Sequence, residues 1–210
     1  MASLPLSKTL DPADFDSLTE ELAIVDQYFG TDRPQHDMRR WEYALALRAM
    51  GRSFNPPKRH IDVGGAGSPF VRMTEAYGWF PTIVDPEVNR SLAEYLELRP
   101  HLADAVTCLS VLEHVDDLDQ FCYHLSCLVA PGGLLVLTFD YCKQPGFHKP
   151  VDTYHFHWMR RRIFNDFTGG QVHGRFGHRD FALLGGIEWK DYGPQVYDYT
   201  FRSLCLQKRA

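Results

Sequence analysis

Apolar residues along this chain occur in short runs that are separated by glycine, proline and acidic residues. Strands are predicted for short segments of four to six residues that contain apolar pairs or runs, at 59–63, 82–85, 105–109 and 134–139. The last run is apolar except for Thr138, which is typical of a strand buried on both faces in a parallel sheet. Helices with short turns are predicted between the strands, at 68–77, 87–98 and 116–129. This alternation predicts a doubly wound α/β sheet.

Two helices are predicted before the first strand. The first covers about 11–29, and the ten residues before it are predicted to form a loose tail. The second covers about 34–50 and carries an apolar stripe at i, i+3, i+4 and i+7, made by Tyr43, Ala46, Leu47 and Met50. We expect this helix to pack on the sheet, with the alternative that Arg40, Trp41 and Tyr43 also close over a ligand.

The pattern weakens in the remaining segments. Residues 99–104 contain a proline and little apolar material, so a third strand is predicted to be very short or lost. Residues 146–158 are rich in Pro, His and aromatic residues without a period, which indicates a loop over the carboxyl edge of the sheet. A helix is predicted at 160–167. Strands near 187–192 and 200–207 are predicted to form an antiparallel pair at the sheet edge.

The segment Arg59 to Phe70, RHIDVGGAGSPF, combines a short strand, a glycine loop and the start of a helix. Ser68 and Pro69 suit the first turn of a helix, and the glycines let a ligand approach the backbone more closely than a Cβ would allow. This arrangement is typical of a nucleotide-binding turn. Asp85, at the end of the strand TIVD, lies 21 residues after Gly64, which is the spacing of a carboxylate that binds ribose hydroxyls.

Length and charge limit the partners of such a turn. The 210 residues, of which 44% are hydrophobic, suffice for one sizeable α/β domain with short additions. A formal net charge of -5 argues against binding of nucleic-acid phosphates. Five cysteines without CxxC pairs indicate reduced thiols, and those at 108, 127 and 205 are expected to be buried. No apolar run reaches the ~20 residues that span a bilayer, so the expected location is cytoplasmic, without membrane association.

Four segments together, HIDVGGAGS, TIVD, SVLEHV and APGGLLVLT, resemble the class I S-adenosylmethionine-dependent methyltransferases over residues 41–209. The resemblance implies a Rossmann-like sheet of seven strands with an antiparallel last strand. The predicted units are a methyltransferase domain over 56–210 and a helical cap over 1–55. S-adenosylmethionine is the implied cofactor.

The resemblance also assigns residues to the parts of the cofactor. It places Asp62, Gly64, Gly65 and Gly67 around the methionine part, Asp85 on the ribose, and Ser110 and Val111 beside the amino group. The acidic residue that commonly contacts the adenine has no match here. Asp104, or a backbone group near it, is the expected substitute.

Methyl transfer from a sulfonium requires that a nucleophile be aligned with the methyl group and that water be excluded. A base is needed only where the acceptor must lose a proton, and neutral histidine suits that task. The candidate bases are His114, His155 and His157, and similar small-molecule methyltransferases often carry a histidine near the last two. The candidate substrate-binding residues are Trp41, Tyr43, Asp140 and Tyr141, the last two because ligands bind at the carboxyl ends of α/β strands.

Two other interpretations apply to the segment after the fifth predicted strand. The residues His148, Asp152, His155 and His157 have the ligand types of a zinc or iron site but no established spacing, so no metal is predicted. The run Arg160 to Arg162 is expected to be the solvated start of a helix. Binding of an anionic substrate or a phosphate is the alternative for this run.

The function predicted from the sequence is S-adenosylmethionine-dependent O- or N-methylation of a small molecule. Protein substrates remain open, whereas 110–113 lacks the Asn or Asp followed by Pro-Pro-aromatic that is expected of a methylase of base amines. The alternative is a module that binds S-adenosylmethionine or a nucleotide without catalysis and acts as a sensor or partner subunit. A dinucleotide oxidoreductase is disfavoured, because its G-x-G-x-x-G would need glycine at Phe70. No oligomeric state is predicted.

Overall fold

The structure, a computed structural model, describes residues 5–29, 37–53, 58–141, 151–152, 160–161, 176, 180–188 and 200–210. The helices are α1 (Asp14–Ser17), α2 (Thr19–Phe29), α3 (Asp37–Ser53), α4 (Phe70–Ala76), α5 (Leu92–Glu97) and α6 (Leu118–Leu128). The strands are β1 (Ser7–Lys8), β2 (Lys58–Val63), β3 (Trp79–Val84), β4 (Ala103–Leu109), β5 (Val129–Tyr141), β6 (Val151–Asp152), β7 (Arg160–Arg161), β8 (Phe181–Leu183), β9 (Ile187–Glu188) and β10 (Thr200–Lys208).

The central sheet has six strands among the described residues, in the order β3-β2-β4-β5-β10-β8. Strands β3, β2, β4 and β5 are parallel, while β10 runs antiparallel to both β5 and β8. This confirms the prediction of a doubly wound, mostly parallel sheet with an antiparallel last strand. The third strand of the expected seven is missing, because residues 98–102 form no strand. Arg99 has a φ of 51° and Pro100 lacks an amide hydrogen, so neither suits a strand.

Several predicted helix boundaries are corrected by the structure. The helix expected over 11–29 is divided into α1 and α2 at Leu18, and α3 continues past Gly51. Helix α5 begins at Leu92 rather than near 87, because Ser91 forms a capping box with Glu94. The Ser91 hydroxyl accepts from the Glu94 amide at 3.3 Å, and the Glu94 carboxylate accepts from the Ser91 amide at 2.7 Å.

The expectation of a loose N-terminal tail is wrong for residues 5–10, the part of that tail that the structure describes. Strand β1 pairs in parallel with β9, and the Leu10 amide donates to the Phe201 carbonyl at 2.9 Å. The outer edge of β10 is therefore shared: β8 pairs with its last residues, and Thr9 bridges to Arg202 further along. Leu6 and Leu10 are buried in the core. Because these N-terminal residues supply partners to an otherwise open strand edge, they are ordered.

The predicted pairing of the last two strands is also wrong, because β9 pairs with β1 while β10 lies between β5 and β8. Strand β8 was not predicted. The expected helix at 160–167 begins instead with β7, which pairs antiparallel with β6. The rest of that helix, residues 189–192 of the expected strand, and most of the loop at 146–158 lie outside the described residues.

Two hydrophobic clusters cover the two faces of the sheet. The first joins α2, α3 and α4 to residues such as Leu134, Val136 and Phe201, and the second contains α6 and residues such as Leu135 and Leu137. The N-terminal helices thus share a core with the sheet, and the division between 1–55 and 56–210 stays a prediction. Three described cysteines, at 108, 122 and 205, are buried and reduced, whereas Cys127, expected to be buried, is partly exposed.

A buried ion pair ties β1 to the helices. Lys8 Nζ contacts Asp14 Oδ1 with both side chains 4% exposed, and the Trp41 indole donates to Asp14 Oδ2 at 2.9 Å. Lys8→Ala leaves this carboxylate buried without its cation, and we expect the free energy of unfolding to fall by about 3 to 5 kcal/mol. Lys58→Ala is the matched control, since Lys58 lies 3.8 Å from Asp104 in a pair that is 37% and 33% exposed.

Urea denaturation of both variants measures the difference. The exposed pair should contribute less than about 1 kcal/mol. Equal losses in the two variants would contradict the assignment of Lys8 as the anchor of the N-terminal segment.

Candidate functional site

A cavity of about 230 Å³ lies where the glycine loop leaves the carboxyl end of β2. Ligands of open α/β sheets bind at this edge. The cavity is lined by the loop itself, by the ends of β2 and β4, and by two side chains of α3. The lining residues are Arg39, Tyr43, Asp62, Val63, Gly64, Gly65, Ala66, Gly67, Ser68, Pro69, Leu109 and Ser110.

The backbone of the glycine loop lies in close contact with the side chains of Val111 and Asp62. Gly64 and Gly67 have φ values of 80° and 69°, which favour glycine. A Cβ at Gly64 would collide with the side chain of Val111, and a Cβ at Gly65 would collide with the carboxylate of Asp62. A Cβ at Gly67 would meet no atom within 4 Å. The loop therefore needs glycine both for its conformation and for its close approach to Asp62, and it leaves open space on the cavity side.

Asp85 joins the end of β3 to the glycine loop. Its Oδ2 accepts from the Ala66 amide at 3.0 Å, and its Oδ1 accepts from the Glu87 amide at 2.8 Å. The side chain is buried but is not among the residues that line the cavity. Each carboxylate oxygen can accept a further hydrogen bond, so the geometry is compatible with the predicted ribose contact.

Asp62 lies beneath the loop and is 2% exposed. The Thr107 hydroxyl, on the neighbouring strand, donates to Asp62 Oδ1 at 2.5 Å. The pKa of Asp62 is raised to about 6, mainly by burial. The Thr107 hydrogen bond acts to lower this pKa, and the charge of Asp85 acts to raise it. Asp62 therefore titrates close to neutral pH, where a cationic ligand group would favour its ionised form.

A second buried carboxylate, Glu42, connects α3 to the ends of two strands. Its Oε1 accepts from the Ser110 hydroxyl at 2.5 Å and from the Thr138 hydroxyl. The Ser110 amide donates to Thr138 Oγ1 at 3.0 Å, and Ser110 has a φ of 52°. Glu42 was not predicted as a site residue, although a single acidic residue inside the apolar segment 41–47 indicates a buried polar contact.

Arg39 supplies positive charge to the cavity wall, and the sequence analysis also missed it. Its side chain is 38% exposed, and Nη1 donates to Glu42 Oε2 at 3.3 Å. Burial alone would lower the Arg39 pKa, but Glu42, and after it Tyr43, Glu113 and Asp140, outweigh burial and raise that pKa. The guanidinium is thus a permanent cation whose exposed part faces the cavity.

The structure brings one predicted aromatic residue to the cavity and leaves another in the core. Tyr43 stacks on Phe70 with ring centroids 5.4 Å apart, and its hydroxyl accepts from Ser68 at 3.1 Å. Burial raises the pKa of Tyr43. Trp41, in contrast, is fully buried and bonded to Asp14, so the structure does not place it at the cavity as expected.

Asp140 and Tyr141, at the end of β5, are both fully buried. The Arg202 guanidinium lies 3.5 Å from the centroid of the Tyr141 ring, a cation–π contact. Asp140 is one of the acids whose charge acts on Arg39. Neither residue is among those that line the cavity.

Of the three candidate bases, the structure describes only His114. His114 closes the 3-10 turn Leu112–His114 after β4, and it is partly buried outside the residues that line the cavity. His155 and His157 lie outside the described residues, as do His148 of the metal alternative and Arg162 of the arginine run. The roles of all three candidate bases stay predictions.

Asp104 does not occupy the expected adenine position. Its Oδ2 accepts from the Arg59 amide at 2.9 Å, and it pairs with Lys58. These residues lie at the start of β2 and β4, which is the amino edge of the sheet. The expectation is wrong because Asp104 lies at the amino end of β4. The glycine loop lies at the opposite edge of the sheet, where the parallel strands end.

A strand, glycine loop and helix, with an acid at the end of the adjacent strand, define a nucleotide-binding α/β protein of the class I methyltransferase type. Residues 35–184 match the family described as a methyltransferase domain, and the chain belongs to this family. Family and fold confirm the identification as a class I methyltransferase, the class whose cofactor is S-adenosylmethionine. The sequence matches no curated protein.

Solved structures support the fold. The chain is similar to an S-adenosylmethionine-dependent methyltransferase from Mesorhizobium loti, with a TM-score of 0.52 and 17% identity over 79% of this chain and 97% of that one. The [4+2]-cyclase SpnF gives 0.57 and 13%, covering 94% of each chain. The 1,6-didemethyltoxoflavin-N1-methyltransferase of Burkholderia thailandensis gives 0.55 and 14%, covering 96% and 92%.

Asp62→Asn is expected to stabilise the free protein at neutral pH. The folded pKa of about 6 lies above the unfolded value of 3.8, so stability falls as the pH rises between these values. The cost of ionising buried Asp62 is on the order of 3 kcal/mol at pH 7. Asp62→Asn removes this cost, so its free energy of unfolding should exceed that of the unsubstituted protein at pH 7 but not at pH 4. Urea denaturation at both pH values measures it.

Exposed Asp16 provides the control, because Asp16→Asn should change stability by less than about 0.5 kcal/mol at either pH. The buried His60 has the opposite pH dependence, since burial lowers its pKa to about 3 and stability then rises with pH. His60 is present in both proteins and cancels in the comparison. A pH-independent difference would contradict the raised pKa of Asp62.

Proposed function

We propose that this protein transfers a methyl group from S-adenosylmethionine to the oxygen or nitrogen of a small molecule. The observation that carries the proposal is the cavity at the glycine loop, where Asp62 and Arg39 present opposite charges on two walls of the same space. An amino-acid group, with its ammonium and carboxylate, has the charges that match such a pair. The methyltransferase family membership supports the same cofactor.

The cavity suits the methionine part of the cofactor. Its volume, about 230 Å³, is below the roughly 300 to 1,000 Å³ that encloses a whole drug-sized ligand. Asp62 and the backbone near Ser110 would hold the ammonium, and Arg39 the carboxylate. Asp85, bonded to Ala66, would hold the ribose beyond the loop. When bound, the cofactor supplies a methyl group on a sulfonium.

The acceptor side rests on fewer contacts. Tyr43 is anchored by Ser68 and can present its ring edge to a substrate at the mouth of the cavity. Among His114, His155 and His157, one residue would take the proton of a hydroxyl acceptor. The N1-methylation of 1,6-didemethyltoxoflavin, for which one structural neighbour is named, illustrates the small-molecule chemistry that this proposal assigns. A cytoplasmic location is part of the same proposal. Among the described residues, none of the helices has the length and apolar character of a membrane span.

Thermal melts with S-adenosylhomocysteine, S-adenosylmethionine and NAD test the cofactor. Ligand at about one hundred times its dissociation constant adds ~2.7 kcal/mol, which raises the melting temperature by roughly 5 to 10 °C. We expect this rise with the two adenosyl compounds and none with NAD. A flat response to both adenosyl compounds at millimolar concentration would overturn the proposal.

A non-catalytic binding module is the second candidate, and the missing third strand favours it because the usual adenine acid is lost with that strand. Turnover separates the two functions. S-adenosylmethionine is incubated with pooled small-molecule hydroxyls and amines, and the S-adenosylhomocysteine released is measured. Acceptor-dependent release supports the enzyme, whereas a melting shift without any release in every pool supports the module.

Arg39→Gln is expected to weaken S-adenosylhomocysteine binding by roughly tenfold to a hundredfold, because a charged hydrogen bond to the ligand carboxylate is lost. Arg40→Gln is the control on the next residue of α3. Arg40 is bound to Asp26 at 2.6 and 2.7 Å and does not line the cavity. Calorimetric titration of both variants measures the dissociation constants, and equal affinities would remove Arg39 from the site.

A further inference from the structure

A chain of hydrogen bonds leads from Asp62 into the core, and nothing in the proposed reaction uses it. His60 and Asp62 lie two residues apart on β2, so their side chains share a face of the sheet. Thr107 lies beside them on β4, opposite Asp62. His60 is fully buried, and its ring packs edge-on against Phe70 and Trp79 at 5.9 and 6.3 Å. Its orientation is therefore fixed by packing.

The chain has four contacts. Thr107 Oγ1 lies 2.5 Å from Asp62 Oδ1 and 2.7 Å from His60 Nε2. On the other side of the ring, His60 Nδ1 lies 3.1 Å from Thr74 Oγ1 on α4. The Thr74 hydroxyl also lies 2.9 Å from the Val71 carbonyl. The contacts connect the glycine-loop acid to the helix that follows the loop.

Counting protons leaves two arrangements. If Asp62 is protonated, it donates to Thr107, Thr107 donates to Nε2, Nδ1–H donates to Thr74, and Thr74 donates to Val71, so all four contacts are satisfied. If Asp62 is ionised, Thr107 must donate to it. The short Thr107–His60 contact then needs the proton on Nε2, Thr74 turns to donate to Nδ1, and the Val71 contact is given up.

The imidazole changes its tautomer in this scheme and keeps its charge. Burial lowers the pKa of His60 to about 3, so the ring is neutral wherever Asp62 titrates. The titratable groups that interact with the charge of Asp62 are Asp85, directly after β3, Tyr43 from α3 and Cys108 from β4. Arg39 lines the same cavity.

We propose that Thr107 and His60 are positioning residues for Asp62, and that ionisation of Asp62 moves the His60 proton from Nδ1 to Nε2. A cationic ligand group at the glycine loop selects the ionised arrangement. This second statement rests on the proposed function, whereas the first concerns the free protein alone. Ligand binding at the loop is thereby communicated to the first turn of α4 through the Thr74 hydroxyl.

Nitrogen chemical shifts and long-range proton couplings of the 15N-labelled histidine ring distinguish the two tautomers. The His60 signal is assigned from its absence in His60→Gln. In the free protein we expect the Nδ1–H tautomer of His60 at pH 5 and the Nε2–H tautomer at pH 7.5. The doubly protonated, cationic imidazolium should be absent at both pH values. Asp62→Asn should hold one tautomer at both pH values, and the signal of exposed His101 serves as the internal reference in both proteins. One unchanged His60 tautomer in the unsubstituted protein would overturn the proposal.

S-adenosylhomocysteine added at pH 5 tests the coupling to ligand, and the expected result is conversion of His60 to Nε2–H. A melting shift without this conversion would overturn the coupling and leave the proposed function intact. No melting shift, with the pH-dependent tautomer retained, would overturn the proposed function and the ligand coupling but not the network.

Thr107→Val removes the hydroxyl at nearly constant volume and should uncouple the His60 tautomer from pH. It should also weaken S-adenosylhomocysteine binding roughly tenfold at pH 7.5. Thr107→Ser restores the hydroxyl and should restore the tautomer change and the affinity. A purely structural role would leave the pH dependence of the tautomer unaltered in Thr107→Val, which would count against the proposal.

Discussion

Carboxylates buried at the carboxyl edge of the sheet must be supplied with hydrogen-bond donors, and this constraint organises the site. Hydroxyl groups within the strands or directly after them provide these donors. Thr107 donates to Asp62, and Thr138 and Ser110 donate to Glu42. Each of these bonds joins two elements of secondary structure. The hydrogen bonds of the buried acids therefore also hold α3, the glycine loop and the central strands in one arrangement.

The N-terminal segment extends this arrangement to residues 6–14. Asp14 contacts Lys8 of β1 and Trp41 of α3. Because β1 is itself paired with β9, these contacts help to fix the position of α3. That helix carries Arg39 and Tyr43 into the cavity wall. Residues distant from the glycine loop in sequence thus determine the charge and shape of the space beside it.

Sequence patterns predicted the fold well where periodicity and turn residues agree. The strands β2, β4 and β5, the glycine turn with its helix, and the antiparallel β10 were all identified, because burial on both faces and glycine at a strand end are local signals. The loss of the third strand was predicted from its proline and lack of apolar residues. The N-terminal pairing was not, because two-residue strands have no period and depend on an edge supplied by distant residues.

The glycine loop, with Asp62 before it and Asp85 beside it, could be predicted from the sequence, since the backbone conformation and strand order that a nucleotide turn needs are encoded within a few residues. The side chains that surround the loop could not be predicted in this way, because the packing of the folded chain places them. It brought Arg39 and Glu42 to the strand ends and kept Trp41 in the core, because α3 presents both a buried face and a cavity face. Which face each side chain joins depends on packing against the sheet, and this information is spread over the whole chain.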